Sequence, residues 1–374
     1  MRRRVVVISN RDIRSHDGGG APLYVHEIMR RLADSFDITI VSRRSPGMQG
    51  SEIVDGVKIL RLASGPMARL TGPIYFLTKL AQKSDLVVDN QDIGIPWFTP
   101  IFTNCPKLVI AYQSVKEIFF TQFPRPLAAL AQRLEHQAYR PYKHVPFVTI
   151  SESTKNDLID FGVPPKNIRI IPPGLDENFF ASVSEINQPR PSPLIVCVSR
   201  LVPYKGVHLL IETMPRVVSA VPDARLVIAG GGYALESLQK RAMSLGLSGS
   251  VEFMQRTPHS WQKEKMHLLS RARVLVAPSV REGFGMVVLE ANARGTPAIG
   301  WNVAGVKDSI IAEETGLLAS PFVLQSMSEA ITRILLDEPL RKKLGERAWT
   351  WARSHSWDKA SQDFGSLMSQ IIKK

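Results

Sequence analysis

The chain of 374 residues contains only two cysteines, Cys105 and Cys197, and aromatic residues make up 7% of it. Two cysteines cannot build a disulfide framework, so we expect free thiols and a reducing, cytoplasmic location. Long uncharged stretches are also missing. The stretch from 93 to 106 is interrupted by Pro96 and Pro100, and it is shorter than the roughly 20 residues that a membrane-spanning helix needs. No transmembrane helix is therefore predicted.

Acidic residues are the scarcer charged type, since 34 Asp and Glu stand against 47 Lys and Arg, for a net charge of +13. The basic excess is spread over both halves of the chain and no base-reading motif is present, so we do not expect a nucleic-acid partner. Anionic membrane surfaces and phosphorylated small molecules remain as candidate partners. The first apolar run, Val5–Ile8, is shorter than the roughly 7–15 residues of a signal-peptide core and predicts a buried strand.

Short β-branched runs alternate with longer helical patterns along the chain, which predicts an α/β fold of doubly wound parallel sheets. A polar segment at 181–193 contains three prolines, which predicts a linker. It would separate a first domain, 1–178, from a second, 192–356. The predicted strands are Val5–Ser9, Ile38–Val41, Leu86–Val88, Leu108–Ala111, Phe147–Ile150, Ile195–Val198, Leu226–Ala229, Val251–Phe253, Val274–Ala277 and Pro297–Ile299.

Glycine triplets follow two of these strands, at 18–20 and at 230–232. Ligands of open parallel sheets bind at the carboxyl ends of strands, where glycines let backbone amides approach an anion. Neither triplet completes a dinucleotide fingerprint, because leucines (Leu23 and Leu235) stand where a further glycine is required. A nicotinamide-dependent dehydrogenase is therefore not expected.

Two cations open the second predicted domain at a strand end. Arg200 follows the strand Ile195–Val198, and Lys205 starts the next helix together with Gly206. A lysine is unfavourable at a helix N-terminus unless an anion binds there. These positions would suit a phosphate-bearing ligand, and two solvated surface cations are the equally weighted alternative.

A second pair of charged residues lies eight positions apart around a glycine-rich turn. Glu282 precedes Gly283-Phe284-Gly285, and Glu290 lies on the short apolar helix predicted from about Met286 to Arg294. A carboxylate on such a helix needs a partner, and sugar hydroxyls are suitable ones. The helix N-terminus is in addition an anion site.

Taken together, these motifs resemble those of family 4 glycosyltransferases, which have the GT-B fold of two Rossmann-like domains facing a central cleft. The resemblance extends from Gly18 to about Trp357 and is most specific over 195–310. It implies that a final helix, about 357–374, crosses back to the first domain. It also implies that the acceptor binds the first domain and that the nucleotide sugar binds the second.

The resemblance implies a role for each motif residue. Catalytic roles fall to Arg200 and Lys205, which would neutralise the departing diphosphate, and to Glu282, which would bind the transferred sugar. Glu290 would accept hydrogen bonds from the ribose hydroxyls. The remaining donor-binding residues would be Gly19, Gly20, Gln113, Arg256, Gly283, Phe284, Gly285, Met286 and Val287.

Such enzymes retain the anomeric configuration and need neither a metal nor a cofactor. The co-substrate would be a nucleotide-diphosphate sugar, with UDP preferred and GDP-mannose as the alternative, and the acceptor a glycan, a lipid-linked sugar or a small molecule. Relatives often carry a histidine where Gln113 stands, and glutamine cannot shuttle a proton at neutral pH. A sugar-nucleotide epimerase or phosphorylase is the alternative enzyme, and a basic nucleic-acid-binding protein is the alternative without catalysis.

Two segments of the first predicted domain mix cations with apolar residues, namely Arg69–Lys83 and Phe119–Lys143. Either could dock on an anionic membrane at the inner face and recruit a lipid-linked acceptor. The alternative is an amphipathic helix packed on its own sheet. The sequence favours the second interpretation without excluding the first.

Overall fold

The computed structural model of the protein describes residues 2–15, 18–62, 83–91, 96–255 and 260–373. The chain forms two compact units. The first unit consists of Met1–Lys116, Arg125–Gly174 and Ser356–Lys374, and the second of Glu117–Pro124 and Leu175–His355.

The described residues of the first unit form an eight-stranded sheet. Its strands are β1 (Arg3–Ile8), β2 (Phe36–Arg43), β3 (Ser51–Val54), β4 (Val57–Leu62), β5 (Leu86–Gln91), β6 (Lys107–Ala111), β7 (Phe147–Thr149) and β8 (Ile168–Ile170). They are ordered β3-β4-β2-β1-β5-β6-β7-β8, and every neighbouring pair except β3 and β4 is parallel. The expectation of parallel pairing alone was thus wrong at this edge. The Asp55-Gly56 pair that joins β3 to β4 is a strong hairpin signal that the sequence analysis passed over.

The second unit contains a six-stranded sheet within its described residues, and all of its strands are parallel, as predicted. They are β9 (Leu194–Val198), β10 (Arg225–Ala229), β11 (Val251–Met254), β12 (Val274–Ala277), β13 (Ala298–Trp301) and β14 (Gly316–Ala319). Their order is β11-β10-β9-β12-β13-β14. From β9 the chain adds β10 and β11 on one side of the sheet and then β12, β13 and β14 on the other, so the strand order reverses between β9 and β12. Ligands of α/β sheets bind at switch points of this kind.

Helices connect most of the parallel strands. In chain order the described α-helices are α1 (Gly20–Leu32), α2 (Thr99–Phe102), α3 (Phe119–Gln122), α4 (Arg125–Ala138), α5 (Glu152–Asp160), α6 (Val183–Ile186), α7 (Val207–Ala220), α8 (Leu235–Ser244), α9 (Trp261–Arg271), α10 (Met286–Ala293), α11 (Leu324–Leu336), α12 (Glu338–Arg353) and α13 (Trp357–Ile372). None of these helices combines the length and the apolar character that a membrane crossing requires.

Alternate residues of a strand point to opposite faces of its sheet, and the apolar cores of the second unit follow this rule. Along β9, Ile195 and Cys197 enter one core cluster, whereas Leu194 and Val196 enter another. Both faces are therefore covered, which confirms the doubly wound arrangement. Cys197 is a buried free thiol, as expected, and Cys105 is also free.

The C-terminal helix α13 packs within the first unit, against α1. Trp357 meets the ring of Tyr24 edge to face at 5.8 Å, and Arg31 Nε donates to Asp358 Oδ1 at 2.7 Å. Gly365 lies so close to Leu32 that an added Cβ would stand 2.8 Å from that side chain. The last helix of the chain is thus part of the N-terminal unit.

The proline-rich segment 181–193 lies within the second unit and packs closely there, and its role as a linker between domains stays a prediction. Ser182 and Glu185 form a reciprocal capping box at the start of α6. The guanidinium of Arg190 is buried, and it donates to Thr296 Oγ1 at 2.6 Å and to the carbonyl of Arg294 at 2.8 Å. One buried arginine therefore anchors the segment to the rest of the second unit.

Asp89, at the end of β5, is a fully buried carboxyl whose charge should reduce stability. Burial raises its pKa to about 6, although hydrogen bonds from Tyr142 and Thr99 oppose the shift. A carboxyl with a raised pKa contributes its stability at low pH and loses it as the pH rises through the folded pKa. The native protein therefore carries the cost of a buried charge at neutral pH.

We predict that Asp89→Asn raises the melting temperature at about pH 8, where the buried charge costs about 3 kcal/mol in the native protein. The advantage should shrink at about pH 4.5, where the folded state keeps Asp89 protonated. Melting curves of both proteins at the two pH values test this. An equal difference at both would show that titration of Asp89 is not responsible.

Candidate active site

Two loops at the carboxyl edge of the second sheet touch through their backbones. Gly206 has a φ of +66°, and an added Cβ would lie 2.0 Å from the carbonyl oxygen of Pro278. Beside it, the amide of Val280 donates to the carbonyl of Tyr204 at 2.9 Å. The turn that follows β9 therefore lies directly against the loop that follows β12.

A third loop, after β13, closes on the same place. Gly305 has a φ of +80°, and a Cβ added to it would stand 1.9 Å from the carbonyl oxygen of Glu282. The amide of Glu282 in turn donates to the carbonyl of Ala304 at 3.1 Å. The backbone of Glu282 is thus held by a neighbouring loop that has no room for a side chain.

This packing brings together two residues that the sequence analysis predicted separately. Lys205 Nζ donates to Glu282 Oε1, and Ser279 Oγ donates to the same oxygen at 2.7 Å. The side chains of Lys205 and Glu282 remain 12% and 17% exposed, so a ligand can still reach them. Ser279 was not singled out as a site residue, although it lies in the loop that was.

Arg200 joins this group through an aromatic ring. The guanidinium of Arg200 lies 5.8 Å from the ring centre of Tyr204, and Lys205 Nζ lies 5.2 Å from it. Arg200 also donates to the hydroxyl of Tyr204. Both predicted cations therefore contact the ring of the buried Tyr204, and together they form a positive patch beside Glu282.

The glycine-rich turn leads into α10 without a side-chain cap. Gly285 occupies the N-cap position with a φ of +82°, and no side chain caps the first turn of the helix. The amides of Met286 and Val287 are therefore available to a ligand at the helix N-terminus. Phe284 is buried, and its ring stacks on Trp351 with the ring centres 6.2 Å apart and lies tilted against His355 at 5.8 Å. This contact anchors the turn that includes Gly283.

Glu290 has a partner that the sequence analysis missed. Lys265 Nζ, on α9, donates to Glu290 Oε1 at 2.6 Å, and both residues are buried. Lys265 and Leu269 share the buried face of α9. A lysine on the apolar face of a helix was the signal that could have identified this residue.

In the first unit, Gly19 and Gly20 stand at the N-terminus of α1. Gly19 is extended, and a Cβ built on it would meet none of the described atoms within 4 Å. The backbone conformation therefore does not require glycine at this position. Their predicted contact with the donor diphosphate remains a prediction.

The loop that carries Gln113 is fixed on both sides. Ser114 Oγ donates to Asp157 at 2.7 Å, and Thr154 Oγ1 donates to the carbonyl of Tyr112 at 2.9 Å. Gln113 itself is half-buried. Of the other predicted donor-binding residues, Arg256 lies outside the described residues. Among the described residues, no group of three or more His, Cys, Asp or Glu side chains could hold a metal ion.

Two family profiles together match most of the chain. The one described as "Glycosyltransferase Family 4" matches residues 18–179, and the one described as "Glycosyl transferases group 1" matches residues 180–351. A D-inositol 3-phosphate glycosyltransferase of Corynebacterium glutamicum is 24% identical over 95% of this chain and 93% of its own length. A GDP-mannose-dependent alpha-(1-6)-phosphatidylinositol monomannoside mannosyltransferase of Mycolicibacterium smegmatis is 26% identical over 94% of this chain and 95% of its own length.

Solved structures match the fold over nearly the full chain. Sucrose-phosphate synthase of Thermosynechococcus elongatus superimposes with a TM-score of 0.83, at 23% identity and with complete coverage of both chains. The Anabaena protein HepE, crystallised with UDP-glucose, superimposes with a TM-score of 0.77 at 17% identity, over 98% of this chain and 99% of its own. From the two profiles and this fold, the chain belongs to glycosyltransferase family 4 and has the GT-B fold.

Proposed function

We propose that the protein transfers a hexose from a nucleotide-diphosphate sugar to an acceptor and retains the anomeric configuration. The observation that carries this proposal is the cluster of Arg200, Lys205 and Glu282 around Tyr204, beside the uncapped N-terminus of α10. It combines two cations and a helix N-terminus with a carboxylate. These are the groups needed to bind a diphosphate and a sugar at adjacent positions.

The charged groups of the cluster are suited to cleavage of the bond between the sugar and the diphosphate. Cleavage of a glycosyl–phosphate bond leaves negative charge on the diphosphate and positive charge on the sugar ring. Arg200, Lys205 and the amides of Met286 and Val287 would stabilise the diphosphate without reorganising. Fixed cations would thereby take the place of a metal ion, and no cofactor is required.

Glu282 would hold the transferred sugar through its hydroxyls. Lys205 has three N–H donors, so it can keep one on Glu282 and direct another to the diphosphate. Ser279 would keep the carboxylate oriented throughout, because it donates to the same oxygen. A single lysine would in this way couple sugar binding to phosphate binding.

We propose UDP as the preferred nucleotide, with GDP-mannose as the alternative donor. The complex of HepE with UDP-glucose supports the first, and the name of the Mycolicibacterium relative supports the second. The ribose hydroxyls would bind Glu290, and the base would lie after β11. Acceptors named for the two relatives are an inositol phosphate and a phosphatidylinositol mannoside, so the proposed acceptor is a glycan, a lipid-linked sugar or a small molecule.

We further propose that α4 contacts an anionic membrane. Ala128 and Glu135 are buried, whereas Leu127, Leu130 and Leu134 are 49%, 52% and 61% exposed and fall on one side of the helix. Exposed arginines flank this stripe, at positions 125, 133 and 140. The helix therefore packs inward with one face and presents leucines outward with another, which is the pattern of an interfacial helix. Of the other candidate segment, 69–82 lies outside the described residues.

A donor panel tests the proposed function directly. We expect UDP-hexoses, and more weakly GDP-mannose, to raise the melting temperature, because binding to the folded state stabilises it. The donors that bind should then be hydrolysed slowly, with release of a sugar of unchanged anomeric configuration, read by NMR. A protein that neither binds nor hydrolyses any donor would contradict the proposal.

We predict that Arg200→Ala and Lys205→Ala each reduce donor turnover by roughly 10²-fold or more, since each removes a group that stabilises the leaving diphosphate. The melting temperature should change little for Arg200→Ala, because that side chain is exposed, and the melting curve of Lys205→Ala shows whether that variant is folded at the assay temperature. Lys240→Ala is the control, because Lys240 is 70% exposed and its salt-bridge partner among the described residues is Glu236 of the same helix. Full turnover in either site variant would exclude these cations from the reaction.

Co-sedimentation with vesicles tests the membrane contact. The double variant Leu130→Gln and Leu134→Gln should bind phosphatidylglycerol-containing vesicles roughly tenfold or more weakly, because each buried leucine contributes about 1.5–3 kcal/mol. Leu336→Gln is the control, as that leucine is 67% exposed on α11 of the second unit. Equal failure of the unaltered protein to bind anionic and neutral vesicles would remove the membrane from the proposal.

A further inference from the structure

A buried lysine–glutamate ion pair joins helices α9 and α10. Lys265 on α9 and Glu290 on α10 are both at least nine-tenths buried. Desolvation of two charges offsets much of their attraction, so two apolar side chains of similar size would hold the helices at least as well. The pair therefore needs an explanation other than stability.

The position of the pair suggests one. Glu290 lies about one turn along α10 from its uncapped N-terminus at Gly285, and α9 is the next helix after β11. Under the proposed function, these two places receive the diphosphate and the base. The pair is thus situated where the ribose between them would bind.

The two carboxylate oxygens of Glu290 have different surroundings. Lys265 is bonded to Oε1, and among the described residues it is the hydrogen-bond partner of this carboxylate. The side chain of Glu290 keeps 9% of its surface exposed. Oε2 is thus left to accept hydrogen bonds from a ligand, and an ionised carboxylate is a strong acceptor.

We propose that Lys265 is a positioning residue for nucleotide recognition: by bonding to Oε1 it holds the Glu290 carboxylate in the orientation in which Oε2 binds the vicinal hydroxyls of the ribose. This inference rests on the proposed function, because it assumes a nucleotide donor. Lys265 acts through Glu290 and does not itself contact the ribose. Its loss should therefore weaken recognition of the hydroxyls in particular, and leave binding of the diphosphate and the base in place.

The test compares UDP with 2′,3′-dideoxy-UDP, which lacks both ribose hydroxyls, by isothermal titration calorimetry on the full chain. The unaltered protein should prefer UDP by roughly tenfold or more, as expected for hydrogen bonds to a charged acceptor. Lys265→Met and Glu290→Gln should each lose most of this preference, while their affinity for the dideoxy compound stays the same. Lys265→Arg should retain most of it.

The control is a second lysine–glutamate pair of equal length. Lys240 Nζ and Glu236 Oε1 are also 2.6 Å apart, but their side chains are 70% and 78% exposed. Lys240→Met should keep the full preference for UDP. If Lys265→Met does not fold, Lys265→Gln replaces it, because its amide still donates to Glu290 without a charge, and an intermediate preference is expected.

The outcomes separate this inference from the proposed function. An equal loss of affinity for both compounds in the Lys265 variants would show a merely structural role, and an unchanged preference would show no role. Either result overturns the inference while nucleotide binding stands. If the unaltered protein binds neither UDP nor GDP, the proposed function itself fails, and the inference fails with it.

Discussion

The second unit depends on the direct backbone contact of three loops at the carboxyl edge of its sheet. Gly206 meets the carbonyl of Pro278, and Gly305 meets the carbonyl of Glu282, at distances that exclude any side chain. This constraint sets the spacing of the loops after β9, β12 and β13. Because the backbones touch, Lys205 reaches Glu282 and Tyr204 lies beneath both predicted cations.

Both carboxylates of the candidate site are paired with a lysine. Lys205 with Glu282 is partly exposed, and Lys265 with Glu290 is buried. A ligand that enters such a site would exchange or share these partners, and each side chain is already oriented before the ligand binds. Charged groups that are oriented in advance stabilise a transition state better than water does, because they need not reorganise during the reaction. The partly exposed pair can rearrange, whereas the buried pair has little freedom to do so.

Basic residues occupy three structural contexts that bear on the proposals. Arg200 and Lys205 form the patch on Tyr204, and Arg190 and Lys265 are buried inside the second unit, where they hold carbonyls and a carboxylate. Arginines also flank the exposed leucines of α4. Of these three contexts, the first and the third present charge that a partner could meet, whereas the second serves internal contacts.

The sequence by itself determined the alternation of strands and helices, the parallel second sheet and the loops that carry the charged residues, because periodicity and glycine-rich turns are local properties. It did not determine that segment 181–193 is packed, that Lys205 bonds Glu282, or that Lys265 is the partner of Glu290. These facts depend on contacts between residues far apart in the chain, 77 positions for Lys205 and Glu282 and 25 for Lys265 and Glu290. Only tertiary packing decides such contacts, since burial and the fit between loop backbones select which side chains meet.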